Sequence, residues 1–349
     1  MQWNLSIDHE FRRNMGTRIS YIGMRTDDLV WAANENDMTY SSTTKALSRP
    51  LTDRPFPNWQ AINDRLTGAQ AFYGALQVEV NHRLQHGLTF QSTYTWSKNL
   101  ADNQGTQATG FVGENGNYAS YSRNLKLDYG NVYGTRRQRW ITTGVYELPV
   151  GRGRSFGANM NRAENAVIGG WQLSNIFVLQ TGPYMTAYIP GGTADPSGTG
   201  SGVIYALNQR PDRVTGQSAV PANRTRAQWL NKSAFACPSN SAYTSSSYAG
   251  NTCGVGYTTN PIGRFGNESV GDVVGPGTVN WSAGLSKRIE ITSKVHLRAE
   301  GTFTNVLNHT NLNDPNLNIS SPTFGMITSG RGSDFGGART GQVSMKFEF

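Results

Sequence analysis

The sequence has few charged residues, no long run of apolar residues and only 2 cysteines. Charged residues make up 15% of the 349 positions, below the roughly one quarter that is usual for soluble proteins. No stretch approaches the roughly 20 apolar residues that a transmembrane helix requires, which excludes a helical membrane protein. Disorder is disfavoured as well, because the chain contains 8 Trp, 15 Tyr and 14 Phe, and disordered chains are poor in aromatic residues. With 40 glycines, this composition favours β-structure with long loops.

The net charge of +8 comes from basic residues that are dispersed along the chain. Nucleic-acid binding requires clustered Lys and Arg, whereas pairs such as those at residues 12–13 and 136–137 lie far apart in sequence. We therefore expect no nucleic-acid partner. Cys237 and Cys253 lie in one loop-like segment, where a disulfide would close a short loop in an oxidising compartment. We expect these two cysteines to be bonded to each other.

Nine segments alternate between apolar and polar side chains with the period of two that is typical of a strand with two different faces. The clearest are residues 76–83, 88–97, 279–290, 295–304 and 342–349. Weaker alternation predicts strands at residues 3–10, 17–26, 137–148 and 168–189, the last with an interruption at 182–183. In 137–148 and 168–189 the pattern does not identify the apolar face.

The connections between these segments alternate in length. Short ones lie near residues 11–16, 85–87 and 291–294, with a medium one near 149–167. Long ones lie near residues 27–71, 99–136, 190–276 and 309–337. Short periplasmic turns that alternate with long extracellular loops are typical of transmembrane β-barrels, whereas a soluble sandwich has no reason to keep this order. The sequence therefore predicts an all-β, antiparallel transmembrane barrel with its apolar face toward lipid.

Aromatic residues near the predicted strand ends suggest where the membrane boundaries lie. Candidates for a girdle at the lipid headgroups are Tyr94, Trp96, Trp140, Trp171 and Trp281. Ordinary core or hairpin aromatics are the alternative interpretation. The final strand ends on a phenylalanine, and its alternation predicts that one group of four side chains faces lipid: Val343, Met345, Phe347 and Phe349.

Several stretches of the chain resemble the TonB-dependent receptors, most closely the Oar-like branch, which carries an N-terminal carboxypeptidase-regulatory-like domain. A first hairpin is similar at YGALQVEV (73–80), GLTF (87–90) and YTWSK (94–98). A later hairpin is similar at GVYELPVG (144–151) and GGWQL (169–173), and the penultimate strand at EGTFTNVLNHT (300–310). The terminal strand resembles the signal that the barrel-assembly machinery reads.

The resemblance implies a barrel of about 22 strands with a plug inside it. Residues 1–349 would form the C-terminal part of that barrel, with about nine spanning strands. The plug, the TonB-contacting segment and the regulatory-like domain have no match in the sequence, so we expect the chain to be part of a longer polypeptide. The implied surroundings are outer-membrane lipid and lipopolysaccharide. The implied partners are the barrel-assembly machinery and, through the missing N-terminal part, the TonB complex.

The function that the resemblance implies is binding and TonB-coupled uptake of a large nutrient, such as a peptide, an oligosaccharide or a metal chelate. Long extracellular loops, above all residues 190–276, are the expected contact for this unknown ligand. The alternatives are a plugless outer-membrane adhesin or structural barrel, and a soluble secreted β-protein such as a lectin. No catalytic, cofactor-binding or metal-binding residues emerge from the sequence. His82 and His86, the closest candidates for metal ligands, lie on a strand and a turn. We expect no enzymatic activity and no cofactor.

Overall fold

The computed structural model describes residues 1–38, 54–103, 119–190, 196–197, 199, 209–238, 264–292, 295–332 and 336–349. Its nine long strands are β1 Gln2–Arg12, β2 Met15–Asn34, β3 Asn63–Gln85, β4 Leu88–Ala101, β5 Gln138–Glu147, β6 Trp171–Gln180, β7 Thr278–Glu290, β8 His296–Thr304 and β9 Thr340–Glu348. Each strand pairs antiparallel with the next, so the sheet is a meander. Among these strands, β1 pairs only with β2 and β9 only with β8, so the sheet is open. The all-β, antiparallel prediction with nine strands is confirmed.

The connections alternate in length as the sequence predicts. Those at one end of the sheet, the turn end, are short or hold the helix α1, Arg162–Ile168. Those at the opposite end, the loop end, are long. The turns between β1 and β2 and between β3 and β4 are tight, and in the latter His86 and Gly87 have positive φ angles of 50° and 80°, as a two-residue hairpin turn requires. Any side chain at Gly87 would place its Cβ 2.6 Å from the Glu147 carbonyl oxygen.

Strands β2 and β3 are longer than predicted, with 20 and 23 residues. The predicted connection at 27–71 was therefore too long. The register of the pair shifts between Thr26 and Val30, and Asp28 adopts a positive φ of 59°. This bulge breaks the period-two pattern, so the alternation beyond it no longer matches that before it. The two strands project beyond their neighbours at the loop end.

The prediction of a strand over residues 168–189 is wrong at its start. Residues 162–168 form α1, in which the Asn161 side chain accepts from the Glu164 backbone N–H and the Glu164 carboxylate accepts from that of Asn161. This reciprocal pair is a capping box. Strand β6 begins only at Trp171 and ends at Gln180, before the predicted interruption. A two-residue strand, Tyr184–Met185, follows.

At the loop end, segments of the connections between β6 and β7 and between β8 and β9 pack into a hydrophobic core, which we call the cap. Its buried residues, each at most 1% exposed, are Met185, Ala187, Ile189, Leu230, Ala234, Phe235, Val273, Ile319 and Phe324. The rings of Phe235 and Phe324 meet edge to face at 5.2 Å between centroids. Two small sheets support this core, one between Tyr184–Met185 and Val273–Val274, the other between Asp212–Arg213 and Phe235–Ala236. The sequence predicted only long loops here.

Candidate functional site

One face of the sheet is apolar across its whole width. Residues that stand directly opposite one another on neighbouring strands form a row, and one such row crosses seven strands. Its members are Ile7, Ile19, Val78, Tyr94, Trp140, Leu179 and Val279. The next row toward the loop end begins with Leu5, Tyr21, Leu76 and Trp96. The strand register therefore brings the apolar side chains of separate strands onto one continuous surface.

The final strand adds its predicted residues to this apolar face. Val343 stands opposite Gly301, which in turn stands opposite Leu285. Four side chains are strongly exposed, by 76%, 74%, 61% and 99% in this order: Val343, Met345, Phe347 and Phe349. Their exposure fits contact with something other than water. Their role as an assembly signal stays a prediction.

The five aromatic candidates all lie on the apolar face, four of them within three adjacent rows and one far from these. Tyr94 and Trp140 share one row; Trp96 lies one row nearer the loop end and Trp281 one row nearer the turn end. Trp171 lies near the opposite end of β6. It is eight residues from Leu179, about 26 Å along the strand, close to the height of the apolar band of outer-membrane barrels. The girdle itself stays a prediction.

The opposite face is polar. The row beside the apolar one contains Ser6, Ser20, Gln77, Thr95, Arg139, Gln180 and Thr278. A further row contributes an ion pair in which the Arg18 Nε lies 2.6 Å from a carboxylate oxygen of Asp8. A concavity of about 830 Å³ lies on this face, with Glu79, Gln91 and Thr302 in its lining. Hydroxyls, amides and charges make up the polar rows of this face, and such rows suit water and hydrophilic solutes.

Strands β5 and β6 also carry apolar side chains on the polar face. Ile141 stands opposite Thr93, and Val178 opposite Asn280. Ile176, which is 52% exposed, lines the concavity together with Val145. Because both faces of these two strands carry apolar residues, the sequence pattern could not show which of their side chains join the apolar face of the sheet. The strand pairing shows it.

The cap is tied to the connection between β4 and β5 by a buried ion pair. The Arg210 Nη1 donates to the Asp128 carboxylate at 2.9 Å, and the two side chains are 4% and 0% exposed. Ser120 donates to the same carboxylate through its backbone N–H and its hydroxyl. The Arg210 Nη2 donates to the Leu127 carbonyl at 2.7 Å. These hydrogen bonds offset the cost of burying the two charges.

A second group of charges in the cap is partly buried, with Asp212 1% and Arg264 34% exposed. Arg264 donates to both carboxylate oxygens of Asp212, at 2.6 Å and 2.8 Å, the bidentate geometry that Arg favours. Glu268 is 2% exposed, and the Ala187 backbone N–H donates to its Oε1 at 3.4 Å. Burial, assisted by the negative charge of Asp272, raises the pKa of the Glu268 carboxyl well above its ordinary range. Sequence reasoning missed this group, because its members are far apart and follow no period.

The predicted disulfide falls partly within the described residues. Cys237 packs against the cap core and is disulfide-bonded. Its expected partner, Cys253, lies outside the described residues, so the pairing stays a prediction. In the part of the chain that the structure describes, no helix is long and apolar enough to cross a membrane, and no group of three or more His, Cys, Asp or Glu is placed to hold a metal ion.

Comparison with known proteins places this architecture in a family. No curated protein matches the chain. Solved structures similar to it include the outer membrane transporter YddB from Escherichia coli, with a TM-score of 0.46 and 9% identity over 99% of this chain, and the ferric-catecholate import receptor Fiu from E. coli, with a TM-score of 0.29 and 10% identity over 86%. This chain spans 32% of the length of each. The outer membrane beta barrel domain family matches residues 1–342, and the chain belongs to that family.

Proposed function

We propose that this chain forms part of the barrel of a TonB-dependent receptor that takes up a large nutrient through the outer membrane. Membership of the outer membrane beta barrel domain family makes the apolar face the lipid side and the polar face the lumen side. The loop end is then extracellular and the turn end periplasmic. Localisation in the outer membrane sets aside a soluble secreted protein such as a lectin.

The observation that carries the proposal is a hydrophilic lumen surface beneath a packed extracellular cap. Large outer-membrane transporters enclose a lumen wide enough for a plug, and the lumen face here is continuous across strands β1 to β9. Ligand contact belongs to the extracellular side, where the cap presents a stable surface built on its own hydrophobic core. The proposal covers three substrate classes: peptide, oligosaccharide and metal chelate.

The open sheet supports the view that these nine strands are part of a larger barrel. Each edge strand presents one row of backbone N–H and C=O groups that has no strand partner among the described residues. Unpaired backbone groups in hydrocarbon cost several kcal/mol each, so we expect further strands to cover them. We propose residues 1–349 as the C-terminal part of that barrel, with the plug and the regulatory-like domain elsewhere in a longer polypeptide.

Deletion of the gene in its own host tests the proposal. Cells with and without the gene are given ferric siderophores, oligosaccharides and peptide hydrolysates as separate sources, and uptake is measured with and without a protonophore. We expect the deletion to abolish energy-dependent uptake of one of the three classes, and the intact gene to restore it. Uptake that is unchanged for all three would overturn the proposal.

The cap also favours a second candidate, an adhesin or structural barrel, because a rigid extracellular surface suits attachment. The same deletion strain distinguishes the two. An adhesin predicts unchanged uptake together with reduced attachment of the cells to surfaces or to one another. A receptor predicts the reverse. The variant Phe235→Ala, which creates a cavity in the cap core, reduces the activity that the cap serves while the strands remain inserted.

A further inference from the structure

The connection between β5 and β6 contacts the lipid side of the barrel at its periplasmic end. Lys287 lies on the lipid face, since it stands opposite Trp171 on one side and Ala299 on the other. Its ammonium donates to the carbonyl oxygen of Val167 at 2.9 Å and to that of Gly169 at 2.5 Å. It also lies 4.7 Å from the centre of the Trp171 ring. The C-terminal end of α1 must therefore be outside the barrel, against the lipid face.

Lys287 is unusual in its position. The lipid-facing residues of β5 to β9, followed through the strand register, include no other Asp, Glu, Lys or Arg. A lysine ammonium in contact with hydrocarbon is costly, and the two carbonyl groups at the end of α1 satisfy it. The indole Nε1 of Trp171 donates to the same Val167 carbonyl at 3.3 Å. α1 thus covers the one charge on this part of the lipid face.

The helix is held by polar contacts, and its large apolar side chains are exposed. None of its residues is buried. The Arg162 guanidinium donates to the Ile291 carbonyl at 2.7 Å and fixes the start of α1 to the end of β7. Val167 is 71% exposed, Ile168 46% and Ile291 45%. In water, these three large aliphatic side chains would stay exposed, and the favourable free energy of burying them would not be gained.

We propose that α1 is an interfacial anchor, in which Val167, Ile168 and Ile291 enter the headgroup–acyl boundary of the periplasmic leaflet. The occupant of this apolar patch is phospholipid, because the patch is continuous with the lipid face through Trp171 and Lys287. Interfacial helices bury their apolar side chains about 5–10 Å below the headgroups. The anchor would fix the height of β6 and β7 in the membrane, whatever the barrel transports.

Fluorescence quenching in vesicles tests the proposal. The full-length polypeptide with Val167→Cys is labelled with an environment-sensitive nitrobenzoxadiazole under non-reducing conditions. It is then reconstituted into phosphatidylethanolamine–phosphatidylglycerol vesicles that contain spin-labelled phospholipid. The matched control is Val220→Cys, because Val220 is an exposed valine (49%) of the extracellular connection. We expect quenching by a shallow spin label to be several-fold stronger at position 167 than at position 220.

Ile168→Cys and Ile291→Cys are labelled in the same way. They show whether the quenching at position 167 holds for the whole patch or comes from that one substitution. Heat-modifiable gel mobility verifies that each labelled protein contains a folded barrel. Strong quenching at positions of the α1 patch but not at 220 supports the anchor. Quenching at the patch no stronger than at 220, in protein with a folded barrel, overturns it. Neither outcome depends on nutrient uptake, so the anchor and the receptor function succeed or fail separately.

Discussion

The nine-strand sheet and the cap contrast in how their polar groups are satisfied. In the sheet, backbone groups pair in regular ladders, and charged side chains such as Arg18 and Asp8 remain more than half exposed on the lumen face. In the cap, chain segments without a long ladder surround a hydrophobic core, and Arg210 and Asp128 are paired out of contact with solvent. A repeated local pattern therefore stabilises the sheet, whereas a few specific long-range contacts stabilise the cap.

The largest expected effect comes from breaking the buried ion pair of the cap. Asp128→Ala leaves the Arg210 guanidinium buried without its partner, which costs about 3–5 kcal/mol. We expect the cap to become protease-sensitive while the sheet keeps its heat-modifiable mobility. Limited proteolysis followed by mass spectrometry measures this directly. Unchanged protection of the cap in the variant would mean that the ion pair is not what holds the two connections together.

A charge on the lipid face is expected to have the next largest effect. Val343→Arg places a guanidinium in hydrocarbon on β9, at a cost of about 2–4 kcal/mol near the bilayer midplane. Gln342→Arg is the matched control, because Gln342 is the adjacent residue of the same strand on the lumen face. Urea titration of folding into vesicles should show a lower midpoint only for the first variant. Equal destabilisation by both would contradict the assignment of the two faces.

The pH dependence of the cap should reflect Glu268. Its pKa is raised in the folded cap by burial, so its contribution to stability is complete below the ordinary value of 4.5 and is lost as the pH rises toward the folded-state pKa. The slope for one proton is at most about 1.4 kcal/mol per pH unit. Hydrogen exchange of the cap at a series of pH values above 4.5 measures it. Glu268→Gln should flatten the profile, and an identical slope in both proteins would exclude this carboxyl as the cause.

The smallest effect is expected for the exposed ion pair of the sheet. Asp8→Asn removes the charge that faces Arg18, but both side chains are more than half exposed. Solvent screens such a pair, so it contributes little to the free energy of unfolding. Urea titration should give a midpoint close to that of the unchanged protein. If Asp8→Asn lowered the free energy of unfolding as much as Asp128→Ala does, the contrast between exposed and buried ion pairs would not hold here.

The same contrast explains how much could be predicted from the sequence. Strands such as residues 88–97 and 279–290 were predicted correctly because alternation is a local signal. The capping box of Asn161 and Glu164 was also visible in the sequence and would have predicted α1. The cap core was not predictable, because Met185, Phe235 and Phe324 are separated by tens of residues and have no common period.

The candidate site divides in the same way. The sequence alternation predicts the lumen-facing residues of a strand wherever its other face is clearly apolar, as around Gln91. It does not predict them for β5 and β6, because Ile141 and Ile176 add apolar side chains to the lumen side. The charges of the cap, such as Arg210 and Glu268, have no local sequence signature. Their burial arises only when distant connections meet.

The number of strands has a geometric consequence for closure. Because nine strands alternate in direction, β1 and β9 both run from the extracellular side toward the periplasm. If these two edges met, they would form a parallel seam in an otherwise antiparallel cylinder. Bacterial single-chain barrels contain an even number of antiparallel strands, so a seamless ring requires an odd number of additional strands between β9 and β1. Strand parity, without reference to sequence similarity, therefore supports the proposal that these nine strands form part of a wider barrel.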